Sequence, residues 1–189
     1  MIIVATWKAY VEESARAKKL YAVAKRVAAL GNTQVVLAPS APQIGLLAPK
    51  NKSKVAFAAQ DISDTNGGPQ TGEVSAPILS ALGVSYVILG HSERRARGET
   101  TEIIARKMGH AIAHGLTPIL CVGEKSRDSD GEYLSTVREQ ITSILNALDP
   151  KDRAKVIIAY EPIWAIGKTS GEAIGTTDLA EMTLYIRKV

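Results

Sequence analysis

Six times along this chain a short run of aliphatic, often β-branched residues is followed by a stretch whose apolar residues recur at helical spacing. That alternation is the strongest constraint on the fold. The runs occupy 2–5, 35–38, 55–59, 84–89, 117–122 and the segment opening with Val156, Ile157 and Ile158. Strands apolar on both faces belong to a parallel sheet covered on both sides, and each parallel neighbour must be reached by a crossover, usually a helix. After the first run, Leu20, Val23, Ala24, Val27 and Leu30 fall on one helical face, which is expected to pack on the sheet. Helices are expected next at 41–47 and 77–82, then at 101–114 with Ile104, Met108, Ala111 and Ile112 on one side. Beyond Asp130, Leu134, Val137, Ile141, Ile144, Leu145 and Leu148 form one stripe, and a last helix carries Leu179, Met182 and Ile186 with Thr177 as its N-cap.

The reading is therefore a single α/β domain over 1–189 with a parallel sheet, closed either as an open doubly wound sheet or as a barrel. Six units in 189 residues is about 31 residues each, and eight such units would need roughly the 250 residues of a βα barrel. By periodicity the chain resembles three quarters of one. No G-x-G-x-x-G follows the first strand, which disfavours a dinucleotide-binding sheet.

Charge narrows the function classes. The net charge is +4 with a pI near 9.2, but the charges are interspersed rather than gathered in a basic stripe with aromatics, so no nucleic-acid partner is expected. The balance could steer a small anionic substrate. Cys121 is the one cysteine, which rules out an internal disulfide and suits a reducing compartment. No metal-ligand cluster is visible, the amino terminus lacks a signal-peptide pattern, and no apolar run approaches the roughly 18 residues of a membrane span. A cytoplasmic protein without membrane contact is expected. Asn51-Lys52-Ser53 matches a glycosylation acceptor and reads as a chance match.

The residues with chemical potential fall at the carboxyl ends of the strands: Lys8 after the first, His91 after the fourth and Glu161 after the sixth. In a parallel barrel, active sites occupy that face. A cation, an imidazole and a carboxylate together could serve an anionic substrate that is polarised at a carbonyl and loses a proton beside it. Each alone also has an ordinary reading as an exposed lysine, a structural histidine or a surface glutamate. Pro162 biases Glu161 toward extended geometry, so the chain leaves the strand there. His110 and His114, in the helix at 101–114, are expected to be solvated.

Longer words carry a resemblance. YVILGHSERR at 86–95, GLTPILCVGE at 115–124, AYEPIWAIG at 159–167, TGEVS at 71–75 and Trp7-Lys8 together closely resemble the triosephosphate isomerase family, along the whole chain. The resemblance implies a βα barrel, a homodimer, a phosphorylated triose as substrate, no metal or organic cofactor, and a place in glycolysis and gluconeogenesis. By position, Glu161 would be the base, His91 a neutral electrophile working opposite it and Lys8 the stabiliser of the enediolate. Ser92, Glu93, Glu99 and Arg94 or Arg95 would orient these groups, and Cys121 would be a packing residue. Pro162-Ile163-Trp164 and Lys168-Thr169-Ser170 resemble the hinges of a lid, with Gly167 offering its N–H to phosphate. The loop at 66–72 resembles one that reaches a partner subunit, with Thr71 near the neighbour's lysine.

Three departures qualify the expectation. Thr6 stands where the family usually has Asn, and the lid lacks two residues before Lys168. Nothing after the sixth helix corresponds to the family's seventh and eighth strands, whose loops supply most of the phosphate grip. The chain is accordingly read as an incomplete barrel, a poor isomerase by itself and prone to associate. The rival reading is a non-catalytic truncated barrel that oligomerises or binds a partner.

Overall fold

All six aliphatic runs form strands in the computed structural model, which describes residues 1–169 and 172–189. Two units divide the chain, Met1–Leu89 with Lys107–Pro118, and Gly90–Arg106 with Ile119–Val189.

The first unit holds β1 (Ile2–Thr6), α1 (Ser14–Ala29), β2 (Gln34–Ala38), α2 (Ala41–Leu47), β3 (Ala56–Ala59), α3 (Ala76–Ala81) and β4 (Tyr86–Leu89). The strands are parallel and pair in chain order, with Ile3 beside Val35, Leu37 beside Phe57 and Ala58 beside Tyr86. The Thr117 N–H donates to the Ser85 carbonyl at 2.8 Å. Buried β-branched and small residues, among them Val36, Ala38, Ala58 and Val87, fill these strands, and Phe57 meets the Tyr21 ring at 5.7 Å. The Asn51 side chain accepts from Tyr21 Oη and the Ser53 N–H and donates to the Val55 carbonyl, so this residue ties the entry to β3.

α1 buries only part of the expected face. Leu20, Val23, Val27 and Leu30 are 37–86% exposed, whereas Ala24, also expected, is buried on a seam with Ala17 and Ala28. Small side chains let the helix backbone lie close to the sheet, whereas a pattern weighted by large apolar residues points to the neighbouring sector. β1 is hydrogen-bonded to β2 on one side, and Ile2 and Ile3 are exposed. The expectation that His110 is solvated also fails, because its Nε2 lies 3.0 Å from the Asp64 carbonyl oxygen. Nearby, buried Lys107 donates to both Asp61 oxygens at 2.7 and 2.9 Å. Both contacts tie the second half of α5 (Thr101–Ala113) to the loop that carries Thr71.

The second unit contains α4 (Ser92–Arg95), most of β5 (Thr117–Val122), α6 (Glu132–Asn146), α7 (Pro150–Arg153), β6 (Ile157–Tyr160) and α8 (Thr176–Lys188). β5 and β6 are parallel, with Ile119 beside Ile157 and Val122 beside Tyr160. α6 buries Val137, Ile141 and Ile144, as its stripe predicts, and Tyr185 Oη of α8 donates to the Leu134 carbonyl at 3.0 Å. Thr177 is not the N-cap: α8 starts one residue earlier, after Gly175, without a side-chain cap. α4 and α7 are single turns, too short to show a period. They are set by their caps, His91 accepting from Glu93 N–H and Asp149 accepting from Lys151 N–H.

These packing differences are measurable by urea unfolding. Phe57→Ala should lower the unfolding free energy by about 3–5 kcal/mol. Val27→Ser, on the exposed face of α1, should change it by less than about 1 kcal/mol; a loss as large as that of Phe57 would restore the expected face to the core.

Candidate active site

β4 ends in Gly90, whose φ of +70° and surroundings both require glycine. A Cβ there would lie 2.9 Å from Arg95 Nη2, 3.2 Å from Leu120 and 3.3 Å from Ile104. Arg95 Nε donates back to the Gly90 carbonyl at 2.8 Å, which holds the turn that presents His91. Burial pushes the Arg95 guanidinium below its usual value, against the opposing pull of Glu99, Cys121 and Glu161.

The His91 ring has a defined tautomer. The Glu93 backbone N–H points at His91 Nδ1 at 3.2 Å, and an amide can only donate, so Nδ1 accepts and the proton of the neutral ring resides on Nε2. His91 Nε2 lies 3.2 Å from Glu161 Oε2. The other carboxylate oxygen, Glu161 Oε1, accepts the Ser92 N–H at 2.7 Å. Sequence reading thus singled out His91, Glu161, Ser92 and Glu93, and all four meet here. Ser92 and Glu93 contribute main-chain N–H groups, while the Glu93 carboxylate is exposed and 3.8 Å from His91 Nδ1.

Glu161 leaves β6 with its N–H on the Val122 carbonyl at 2.8 Å, and Pro162 then turns the chain into a single 3₁₀ turn, Ile163–Ala165. The start of this loop is anchored by Glu124, a residue that the strand pattern did not mark. Its buried carboxylate Oε1 accepts from Tyr160 Oη at 2.7 Å, Trp164 Nε1 at 2.8 Å and Arg127 Nε at 3.4 Å. Arg127 also pairs with Asp178 at 3.3 Å and stacks over the rings of Tyr133 and Trp164. A cavity of about 400 Å³ adjoins the start of this loop, with Ser92, Arg95, Glu124 and Ile163 in its wall. The available signal was a glutamate closing an otherwise continuous apolar strand.

Gly167, at φ +75°, is exposed in the loop after β6, and Thr169 hydrogen-bonds Glu172; Ser170 lies outside the described residues. Lys8 belongs to the first unit and is the one described non-glycine residue with positive φ, +48°. Gln60, also unmarked by sequence reading, donates to the Lys8 carbonyl at 2.9 Å. Thr71 sits in an exposed turn of the loop before α3. Cys121 is buried in β5, as a packing residue should be. Among the described residues no group of three or more His, Cys, Asp and Glu side chains could hold a metal ion.

The family model for triosephosphate isomerase matches residues 1–189. The chain belongs to the triosephosphate isomerase family. Its fold is that family's parallel βα barrel, and the described residues hold six of the eight βα units. The chain is 35% identical to the triosephosphate isomerase of Flavobacterium johnsoniae over 99% of its own length and 75% of that protein. It is 45% identical to that of Cytophaga hutchinsonii over 71% of its own length and 54% of that protein. With Porphyromonas gingivalis triosephosphate isomerase the figures are 43%, 72% and 54%. The matched stretch is thus about half the length of two of these relatives. Among the described residues no helix is long and apolar enough to cross a membrane.

The Glu124 cluster generates a spectroscopic prediction. Burial, reinforced by the Glu124 carboxylate and opposed by Arg127, pushes the Tyr160 phenol up to about 12. The native state therefore keeps this proton between pH 10 and 12 where the unfolded chain loses it, so stability falls as pH rises through that window. An ultraviolet titration should show a late phenolate step that Tyr160→Phe removes. A wild-type curve with every tyrosine titrating near 10 would contradict this environment.

Proposed function

We propose that this site interconverts dihydroxyacetone phosphate and D-glyceraldehyde 3-phosphate by proton transfer through an enediolate. The observation that carries the reading is the pairing of the Glu161 carboxylate with an imidazole whose proton is confined to the nitrogen facing it. Glu161 takes the proton from the carbon beside the substrate carbonyl and returns it to the adjacent carbon. His91 polarises the carbonyl through Nε2–H and passes that proton between the two enediolate oxygens. Lys8 offsets the negative charge of the intermediate, and the Gly167 N–H meets the phosphate as the lid closes and excludes water. Ser92 and Glu93 orient the base and the imidazole through their main-chain N–H groups.

The same reading makes the protein a homodimer in which Thr71 reaches the neighbouring subunit, acting in the cytoplasm without nucleic acid, membrane or cofactor. The relatives named above are triosephosphate isomerases, which favours the catalytic reading over the non-catalytic alternative.

In a coupled isomerase assay, Glu161→Asp should lower kcat by about a hundredfold or more with little change in KM, because withdrawing the carboxylate by one methylene misplaces the proton acceptor. Turnover unchanged by this substitution would remove Glu161 from the role of base.

A further inference from the structure

Glu161 can act as described only if its main chain is held still, and the groups that hold it lie outside the reacting set. Gly123, the first residue after β5, lies against the Glu161 peptide: a Cβ at position 123 would be 1.9 Å from the Glu161 carbonyl oxygen and 2.7 Å from its carbon. The obstacle is backbone, so no side-chain rotation relieves it, and clearing the contact to 3.0 Å requires a shift of more than an ångström. Gly123 has no left-handed backbone to explain it; close approach is the reason for the glycine. Both of its peptide groups are taken by one side chain. The Gly123 N–H donates to Gln140 Oε1 at 2.9 Å, and Gln140 Nε2 donates to the Gly123 carbonyl at 3.1 Å. Gln140 stands on α6 beside the buried Ile141, so the core stripe of that helix fixes the carboxamide. One residue earlier, Val122 accepts the Glu161 N–H at 2.8 Å.

We propose that Gln140 and Gly123 are positioning residues for Glu161: the carboxamide clamps the β5 exit, and the bare face of Gly123 seats the peptide that carries the base. The inference rests on Glu161 being the base, but it can be tested apart from turnover. The Ser92 N–H is hydrogen-bonded to the Glu161 carboxylate, so the Ser92 amide resonance reports where that carboxylate lies.

The experiment compares the full chain with Gly123→Ala, Gln140→Met and Gln140→Glu, reading the Ser92 amide by heteronuclear NMR alongside kcat, KM and thermal unfolding. Gly123→Ala should displace the Ser92 resonance and lower kcat by about a hundredfold with KM little changed, as an ångström of misplacement does. Gln140→Met should act in the same direction more weakly. Gln140→Glu, which keeps the acceptor for the Gly123 N–H, should recover part of the difference. If Gly123→Ala does not fold, Gln140→Met decides. A Ser92 resonance that stays in place in the folded variants overturns the proposal whatever the activity. If the unmodified chain fails to turn over, the isomerase reading falls while the Ser92 comparison still tests the positioning.

Discussion

The carboxylate of Glu161 is held between the Ser92 N–H and His91 Nε2, and both donors belong to the turn that opens α4. A helix of one turn leaves its first N–H groups without partners inside the helix. Here the first, of Ser92, is taken by the carboxylate and the next, of Glu93, by the imidazole, so the same two N–H groups cap the turn, set the tautomer of His91 and place Glu161. A hydrogen bond to a charged group contributes about 1.5–3 kcal/mol. A carboxylate that moves to a carbon acid gives up that stabilisation, and the carbon offers no comparable bond in return. In the proposed reaction, binding interactions with the rest of the substrate would offset that loss.

The loop after β6 depends on the same rule for buried charge. Burying a carboxylate is costly unless several donors converge on it. At Glu124 the donors converge on Oε1, from Tyr160 and Trp164, which lie one residue before and three residues after Glu161 in the chain, while Oε2 is buried without a partner. Both flanks of Glu161 are therefore referred to one buried anion on the neighbouring strand exit.

How much of this was legible in the sequence depends on the range of the interaction. Strands announced themselves because β-branched runs bounded by turn residues are local patterns, and α6 did so through a stripe of large side chains. α1 misled because its contact seam is alanine, which contributes little to a hydrophobic pattern. α4 and α7 are shorter than any period. His91 and Glu161 were marked by standing at strand ends and by the words around them. Gly123 and Glu124 stood inside such a word without a role of their own and Gln140 stood outside all of them, because Gly123 matters through a peptide 38 residues later in the chain and Gln140 through a loop 17 residues earlier. Their importance is a property of distance in space.

Lys8 is the converse case, in which local backbone energy argues for function. A positive φ costs a non-glycine residue of order 1–3 kcal/mol and persists only when the surroundings over-determine it. They do so here. The Trp7 N–H continues the ladder onto the Ala38 carbonyl at 3.0 Å, the Lys8 N–H reaches Thr6 Oγ1 at 3.4 Å, and Gln60 Nε2 grips the carbonyls of both Lys8 and Ala38 at 2.9 Å. Glycine at position 8 would relieve the strain with every one of these main-chain bonds retained. What only the lysine adds is its side chain, so keeping it where glycine is cheapest is the behaviour of a residue held for its charge. Thr6, standing where asparagine is usual, bears on the same point: its hydroxyl bonds the Lys8 main chain and so takes part in holding the strain.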